Sequence, residues 1–187
     1  MPSIPIEISA RHVHLTEADW AVLFGDAVIV SDHAISQPTQ FVAKQRVTLR
    51  GPKGEIKGVA VVGPFRPNTQ VELAMTDVRA LGVAAPLCDS GKLDQAAEII
   101  IVGSRGEIVR AAAIVPQRHI HLSPKEATAA GLRDRQTVSV RITGPRGAQL
   151  DNVLVRVHHD FTGRLHLDTD EGNTCGVTAG MSAELIA

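Results

Sequence analysis

The segment Arg11-His12-Val13-His14-Leu15-Thr16 returns later in the chain as Arg118-His119-Ile120-His121-Leu122-Ser123. A hexapeptide repeated this closely predicts a chain built twice on one plan. Each copy runs into a helix-start signal. Thr16 precedes Glu17-Ala18-Asp19-Trp20, and Ser123 precedes Pro124-Lys125-Glu126-Ala127, with proline at the first helical position, where its missing N–H costs nothing. A histidine-bearing strand therefore feeds a short helix in both halves.

The echo continues as Val47-Thr48-Leu49-Arg50-Gly51-Pro52-Lys53-Gly54 against Val138-Ser139-Val140-Arg141-Ile142-Thr143-Gly144-Pro145-Arg146-Gly147. Alternating β-branched runs closed by Gly-Pro-x-Gly are hairpin signals, and strands are expected to follow at 56–62 and 152–157. A third hairpin is expected over 98–109. Helical patterns are short, at 17–24, 76–81 and 124–130. Many short strands separated by Gly and Pro turns argue for barrels or sandwiches rather than a doubly wound sheet. The expected fold is mainly β: two related β-barrel domains from an internal duplication, with short capping α-helices. The domains are placed at 1–113 and 114–187, with the boundary near 111–115 and strands free to exchange between the halves.

The chain of 187 residues is long enough for such cores, and they must be aliphatic, because aromatics are 3% of the residues and tyrosine is absent. With 19 basic and 20 acidic residues, the net charge of -1 lacks the electrostatic footprint of a general nucleic-acid binder. Cys88 and Cys175 form no CxxC pattern and are too few for a disulfide scaffold, so reduced thiols are expected. No leader pattern and no apolar run of about 18 residues is present, which predicts a cytoplasmic protein with neither nucleic acid nor membrane as partner.

Alternate residues of a strand share a face, so His12 projects with His14 and His119 with His121. Each pair lacks one or two donors of a zinc site. Glu72 and His166 lie in strand-like contexts that could supply them. A single His-x-His is more often a surface or hydrogen-bonded pair than a ligand set. Two copies, each preceded by arginine, favour metal. Arg66, held between Pro64 and Pro67, suits bidentate recognition of phosphate, and it reads equally well as an ordinary loop arginine. Lys44, Arg46, Arg50 and Lys53 read as the solvated face of a hairpin, and His33 as solvent-facing. His158 and His159 are adjacent and would face opposite ways on a strand, a poor joint site. Asp168 and Asp170 share a face with His166, either to orient its imidazole or as turn-forming acids before Gly172.

The stretches 9–15, 36–38, 47–54, 66–72, 118–122 and 166–171 together resemble the PduL-type phosphotransacylase (phosphate propanoyltransferase) family, in its order and approximate spacing over nearly the whole chain. The resemblance implies a duplicated pair of barrels, an active site between them and two zinc ions per chain. By matching motif positions, His12, His14 and Glu72 would hold one ion and His119, His121 and His166 the other. Arg66 matches the arginine that grips phosphate, and Ser9, Ala10 and Asn173 match positions near coenzyme A. The implied reaction interconverts a short-chain acyl-CoA, propanoyl-CoA or acetyl-CoA, and phosphate with acyl phosphate and coenzyme A.

His33 and Ala60 stand where the family is often basic, at the nucleotide end of coenzyme A. Few residues precede the first expected strand, whereas members packaged in bacterial microcompartments carry an amphipathic extension there. The resemblance thus allows free cytosol, a homo-oligomer, or association with a microcompartment shell by another route. Two other readings of the residues stand beside it: a binuclear zinc thioesterase or esterase, and a metal-binding structural module of an assembly.

Overall fold

The computed structural model describes residues 3–186. It divides into two compact units, one of Ala10–Pro116 and the other of the residues up to Ser9 together with those from Gln117 onward. Strand β1 (Ser3–Ser9) therefore belongs to the second unit although it leads directly into the first.

The first unit contains β2 (His12–His14), α1 (Glu17–Phe24), β3 (Ser31–Ala34), β4 (Phe41–Arg50), β5 (Glu55–Gly63) and β6 (Gln70–Glu72). It continues with α2 (Met75–Leu81), β7 (Leu87–Cys88), β8 (Ala97–Val102) and β9 (Glu107–Pro116). Six strands close a barrel in the order β4-β5-β2-β6-β9-β8, with β8 returning to β4, while β3 and β7 are added at the edges of β4 and β9. Alternation within the strands fills it: Val13, Leu49, Val61, Val71, Ile99 and Ile101 are all at most 2% exposed. Each such side chain contributes about 1.5–3 kcal/mol by leaving water.

The second unit adds to β1 the elements β10 (His119–Leu122), α3 (Pro124–Ala130), β11 (Thr137–Ile142), β12 (Ala148–Val157), β13 (Arg164–Asp168), α4 (Thr169–Cys175) and β14 (Ser182–Ile186). Its barrel closes in the order β1-β13-β10-β12-β11-β14 around Ile120, Val153, Val155, Leu165 and Leu167. The expected mainly β fold of two barrels with short helices is present.

The two rings share one pairing plan. β2 lies parallel to β5 and antiparallel to β6, and β10 lies parallel to β12 and antiparallel to β13. The parallel pair β6–β9 has its counterpart in β13–β1. Thus the strand preceding each His-x-His serves the other unit's ring: β1 leads into β2 but pairs with β13, and β9 leads into β10 but pairs with β6. The contact division follows this exchange and falls at Pro116, with β9 unbroken through 111–115.

Local chemistry explains the helix starts. The Thr16 hydroxyl accepts from the Asp19 amide at 3.0 Å, and Ser123 and Glu126 form a reciprocal capping box. Hairpin turns close the helix ends. The Lys53 amide donates to Leu81 O at 3.0 Å and the Arg105 amide to Leu23 O at 2.9 Å, satisfying carbonyls that a helix C-terminus leaves open. The approach requires glycine beside it, since a Cβ on Gly51 would sit 2.3 Å from Leu81 O and one on Gly103 2.2 Å from Leu23 O.

The fourth helix departs from expectation. The 166–170 stretch is not strand throughout: β13 stops at Asp168, which caps α4. The Glu171 amide donates to Asp168 Oδ1 at 2.8 Å, and the Asp168 amide donates to Glu171 Oε2 at 3.4 Å. The Asp-x-x-Glu spacing was the available signal. Asp170 is consequently a first-turn helix residue, and the alternation that linked it to His166 ends before it.

Candidate metal centres

Antiparallel register puts Glu72 directly opposite His12 and, in the other barrel, His166 directly opposite His119. The third donor of each set thus comes from the equivalent position of the equivalent strand. The donor atoms of His12, His14 and Glu72 all lie within 4.8 Å of one another, as do those of His119, His121 and His166.

In the first cluster, His12 Nδ1 is 2.9 Å from Ala10 O and His14 Nδ1 is 3.1 Å from Val62 O. A carbonyl can only accept, so both Nδ1 atoms carry the proton and the Nε2 lone pairs face inward. Those two Nε2 atoms are 3.1 Å apart, and His12 Nε2 is 3.7 Å from Glu72 Oε2. Two lone pairs and a carboxylate oxygen meeting at such distances repel unless a cation lies among them. Ligands about 2.0–2.1 Å from a tetrahedral zinc are about 3.3 Å apart, so the donors fit such an ion. Burial first, then His12 and Arg66, holds the His14 imidazolium well below the usual histidine range, against the opposing pull of Glu72 and the Val62 carbonyl. A neutral ring is the ligating form.

The other Glu72 oxygen is anchored. Gln70 Nε2 donates to Oε1 at 2.5 Å and Ser90 Oγ donates to the same oxygen at 2.8 Å. The Gly91 amide in turn donates to Gln70 Oε1 at 2.8 Å. This network leaves Oε2 turned toward His12. Sequence reading passed over Gln70 and Ser90, because Ser90 reaches Glu72 only through the path of the 89–91 loop. Below this strand, buried Asp19 accepts from Thr69 Oγ1 at 2.5 Å and from Arg110 Nε at 3.2 Å, tying α1 and β9 to the residue that precedes β6.

Arg66 lies in the loop before β6, half-buried, with its amide on Leu15 O at 2.9 Å and its guanidinium 3.5 Å from Gln40 Oε1. Its amide bond to Leu15 O ties the loop to the residue that follows His14, and its charge helps hold the His14 pKa down.

The second cluster is three imidazoles. His119 Nδ1 rests on Gln117 O at 2.8 Å, the counterpart of His12 on Ala10 O. The ring centroids of His119 and His121 are 4.7 Å apart, and His166 lies 5.0 and 4.6 Å from them. An uncharged donor set of this kind suits zinc and its neighbours in the transition series.

The arginine before each pair, which counted toward metal in the sequence, has a structural task of its own. Arg11 Nε is 2.8 Å from Asp77 Oδ1, while Asp77 Oδ2 accepts from the Ala74 amide at the start of α2. Arg118 Nη1 is 3.1 Å from Glu171 Oε1, while Glu171 Oε2 faces the Asp168 amide at the start of α4. Each arginine therefore holds the first turn of the helix that follows the third donor. Its recurrence has a mechanical explanation independent of metal, and the metal argument rests on the imidazole geometry.

Of the remaining expected site residues, Ser9 closes β1 opposite Asp168 and Asn173 is exposed on α4, both in the second unit. Ala10 opens the first unit, and its carbonyl is taken by His12. His33 is exposed on β3 beside Asp32. No helix among the described residues is long and apolar enough to cross a membrane.

Fold and site together define a two-barrel β protein in which each barrel carries a trio of side chains able to hold a metal ion. A family model described as phosphate propanoyltransferase matches residues 5–178. A phosphate propanoyltransferase from Citrobacter rodentium is 45% identical over 187 residues, covering 98% of this chain and 89% of the relative. Proteins of that name from Alkaliphilus metalliredigens and Thermotoga maritima are each 42% identical, covering 98% and 96% of this chain and 87% of each relative. The chain belongs to the phosphate propanoyltransferase family.

Proposed function

We propose that the protein transfers a short acyl group, propanoyl or acetyl, between coenzyme A and phosphate, with one zinc ion on His12, His14 and Glu72 and a second on His119, His121 and His166. The observation that carries the metal assignment is the convergence of the His12 and His14 lone pairs at 3.1 Å beside Glu72. Family membership supports the reaction. Bound zinc would lower the pKa of a thiol and polarise an acyl carbonyl.

The chain's own groups divide the remaining work. The first donor set carries one carboxylate and the second none, so an ion held by His119, His121 and His166 would be the more electrophilic of the two. Ala10 and Val62 carbonyls keep the His12 and His14 rings in the ligating tautomer, and Gln117 does the same for His119. Arg66 takes the phosphate. In the direction of acyl-CoA synthesis, the coenzyme A thiolate attacks the acyl phosphate carbonyl, a C–S bond forms, and the C–O bond to phosphate breaks. The departing phosphate carries away the electron pair and meets the guanidinium. Ser9, Ala10 and Asn173 are assigned to coenzyme A.

Transfer is direct. Burial pushes both thiols up, helped by Asp89 and Glu72 at Cys88 and by Glu171 at Cys175, so neither is disposed to form the thiolate of an acyl-enzyme. The proposed setting is the cytoplasm, with a homo-oligomer and a microcompartment shell as the assemblies to test by sedimentation and co-purification.

The deciding experiment follows free thiol from propanoyl-CoA and acetyl-CoA, with and without phosphate, before and after metal is stripped and zinc restored. Release that needs both phosphate and metal is expected. Release without phosphate would replace transfer by thioester hydrolysis, and full activity without metal would remove zinc from the scheme.

A further inference from the structure

A third group of donors lies outside both clusters. Strand β12 ends at Val157, so His158 and His159 do not alternate across a sheet as adjacent strand residues would. They sit on a turn closed by the Phe161 amide on His158 O at 3.0 Å, and their rings stack at 4.1 Å. His158 Nδ1 is 3.5 Å and His159 Nε2 is 3.7 Å from the same oxygen, Oδ2 of Asp160. The Asp160 amide donates to His158 Nδ1 at 3.3 Å, which gives that atom the lone pair. The donor atoms of His158, His159 and Asp160 all lie within 4.8 Å of one another, and an ion binding there would replace the 3.3 Å amide bond at His158 Nδ1. The 3.5 and 3.7 Å separations from Asp160 Oδ2 are near the roughly 3.3 Å between ligands of a tetrahedral ion.

Two features set the character of this group beside the buried clusters. Its side chains are 48%, 76% and 64% exposed, so an ion held there keeps water ligands and exchanges readily. It also adjoins the second cluster through one ring: Phe161 stacks on His121 at 3.8 Å and 18°, and His158 lies 5.4 Å from Phe161. The His158 amide donates to Leu122 O at 3.1 Å, which pins the turn to the end of the strand that carries His121.

We infer that His158, His159 and Asp160 form a third, exchangeable site for a divalent transition-metal ion, placed to capture that ion before the three-histidine cluster takes it up. Two nitrogen donors and one carboxylate select zinc, cobalt, nickel or copper over magnesium or calcium. Capture raises the local metal concentration beside Phe161 and turns the second step into a short intramolecular transfer. The loading role rests on the reading of His119, His121 and His166 as a metal site, whereas the third site itself does not.

The test uses the metal-stripped full chain and the double variant His158→Ala/His159→Ala, with circular dichroism to verify that both are folded. At saturating zinc, three equivalents are expected on the wild type, one of them removed by a weak chelator, and two on the variant. At limiting zinc, the variant is expected to fill the three-histidine cluster about tenfold more slowly, with the same final occupancy of that cluster and the same activity once filled. Equal stoichiometry in the two proteins overturns the third site. A lost equivalent with an unchanged filling rate overturns the loading role. A wild type that binds only one equivalent, lost in the variant, upholds the exposed site and refutes the buried ones instead.

Discussion

Alanine at Ser90 removes one of two donors that hold Glu72 Oε1 and tests whether the 89–91 loop governs the proposed first metal centre. The hydroxyl donates to Oε1 at 2.8 Å and accepts from Gln70 Nε2 at 2.9 Å, so its loss also removes one of the three bonds that hold the Gln70 amide. A hydrogen bond to a charged acceptor contributes about 1.5–3 kcal/mol. Ser90 is only half-buried, so water recovers part of this. A net loss of about 1.4 kcal/mol, or tenfold in metal affinity, follows, at the lower edge of what outer partners of metal ligands usually contribute. Competition between the protein and a chelator of known affinity measures it. One buried equivalent should weaken about tenfold while the other keeps its affinity, and Ser90→Thr should retain most of the wild-type value. A shift of both equivalents together would indicate a general loosening of the fold. No shift in either would refute the argument that Gln70 and Ser90 aim Oε2 at the ion.

Arg66→Ala should raise the phosphate requirement at least tenfold, as expected for loss of a bidentate charge-assisted contact, with metal content by elemental analysis unchanged; loss of metal would contradict its phosphate role. Asp19→Ala strips buried partners from Thr69 and Arg110 and should destabilise the metal-free protein by about 2 kcal/mol, read as a lower urea midpoint at constant slope; a loss below about 0.5 kcal/mol would show that the network is dispensable. Burial opposes ionisation of Glu126, but bonds from the Ser123 side chain and from the Ser123 and Gly163 amides, with Arg164, hold its carboxyl below the usual range. The folded pKa is depressed, so its stabilisation is present above the unfolded value of about 4.3 and is lost as pH falls through the folded value. Glu126→Gln should therefore be less stable than wild type at neutral pH, and urea titrations should show the gap closing under acid; a gap constant with pH would exclude the carboxylate as its source.

The amino-acid sequence alone determined what depends on near neighbours. Thr16 and Ser123 start helices where expected, the Gly-Pro-x-Gly turns close hairpins, and alternation on a strand faces His12 with His14 and His119 with His121. Those outcomes follow from local sterics and short hydrogen bonds. The same rules failed where a local signal was misread: Asp168 and Glu171 begin a helix, although the preceding alternation suggests a continuing strand. Even the helix beginning at Met75 starts one residue before the expected 76.

Tertiary structure decided which distant residues meet. Glu72 stands opposite His12, and His166 opposite His119, only because barrel closure sets the register of β6 on β2 and of β13 on β10. A slip of one residue would turn every side chain of a strand to the other face. The exchange of β1 and β9, the hold of Arg11 on Asp77 and of Arg118 on Glu171, and the Ser90 contact with Glu72 likewise join residues far apart in sequence. His158 and His159 come together because their strand stops at Val157 and a turn begins. Residue types and local periods announce the available donors, but cooperative closure of each ring selects their partners, since no short window of sequence contains the register.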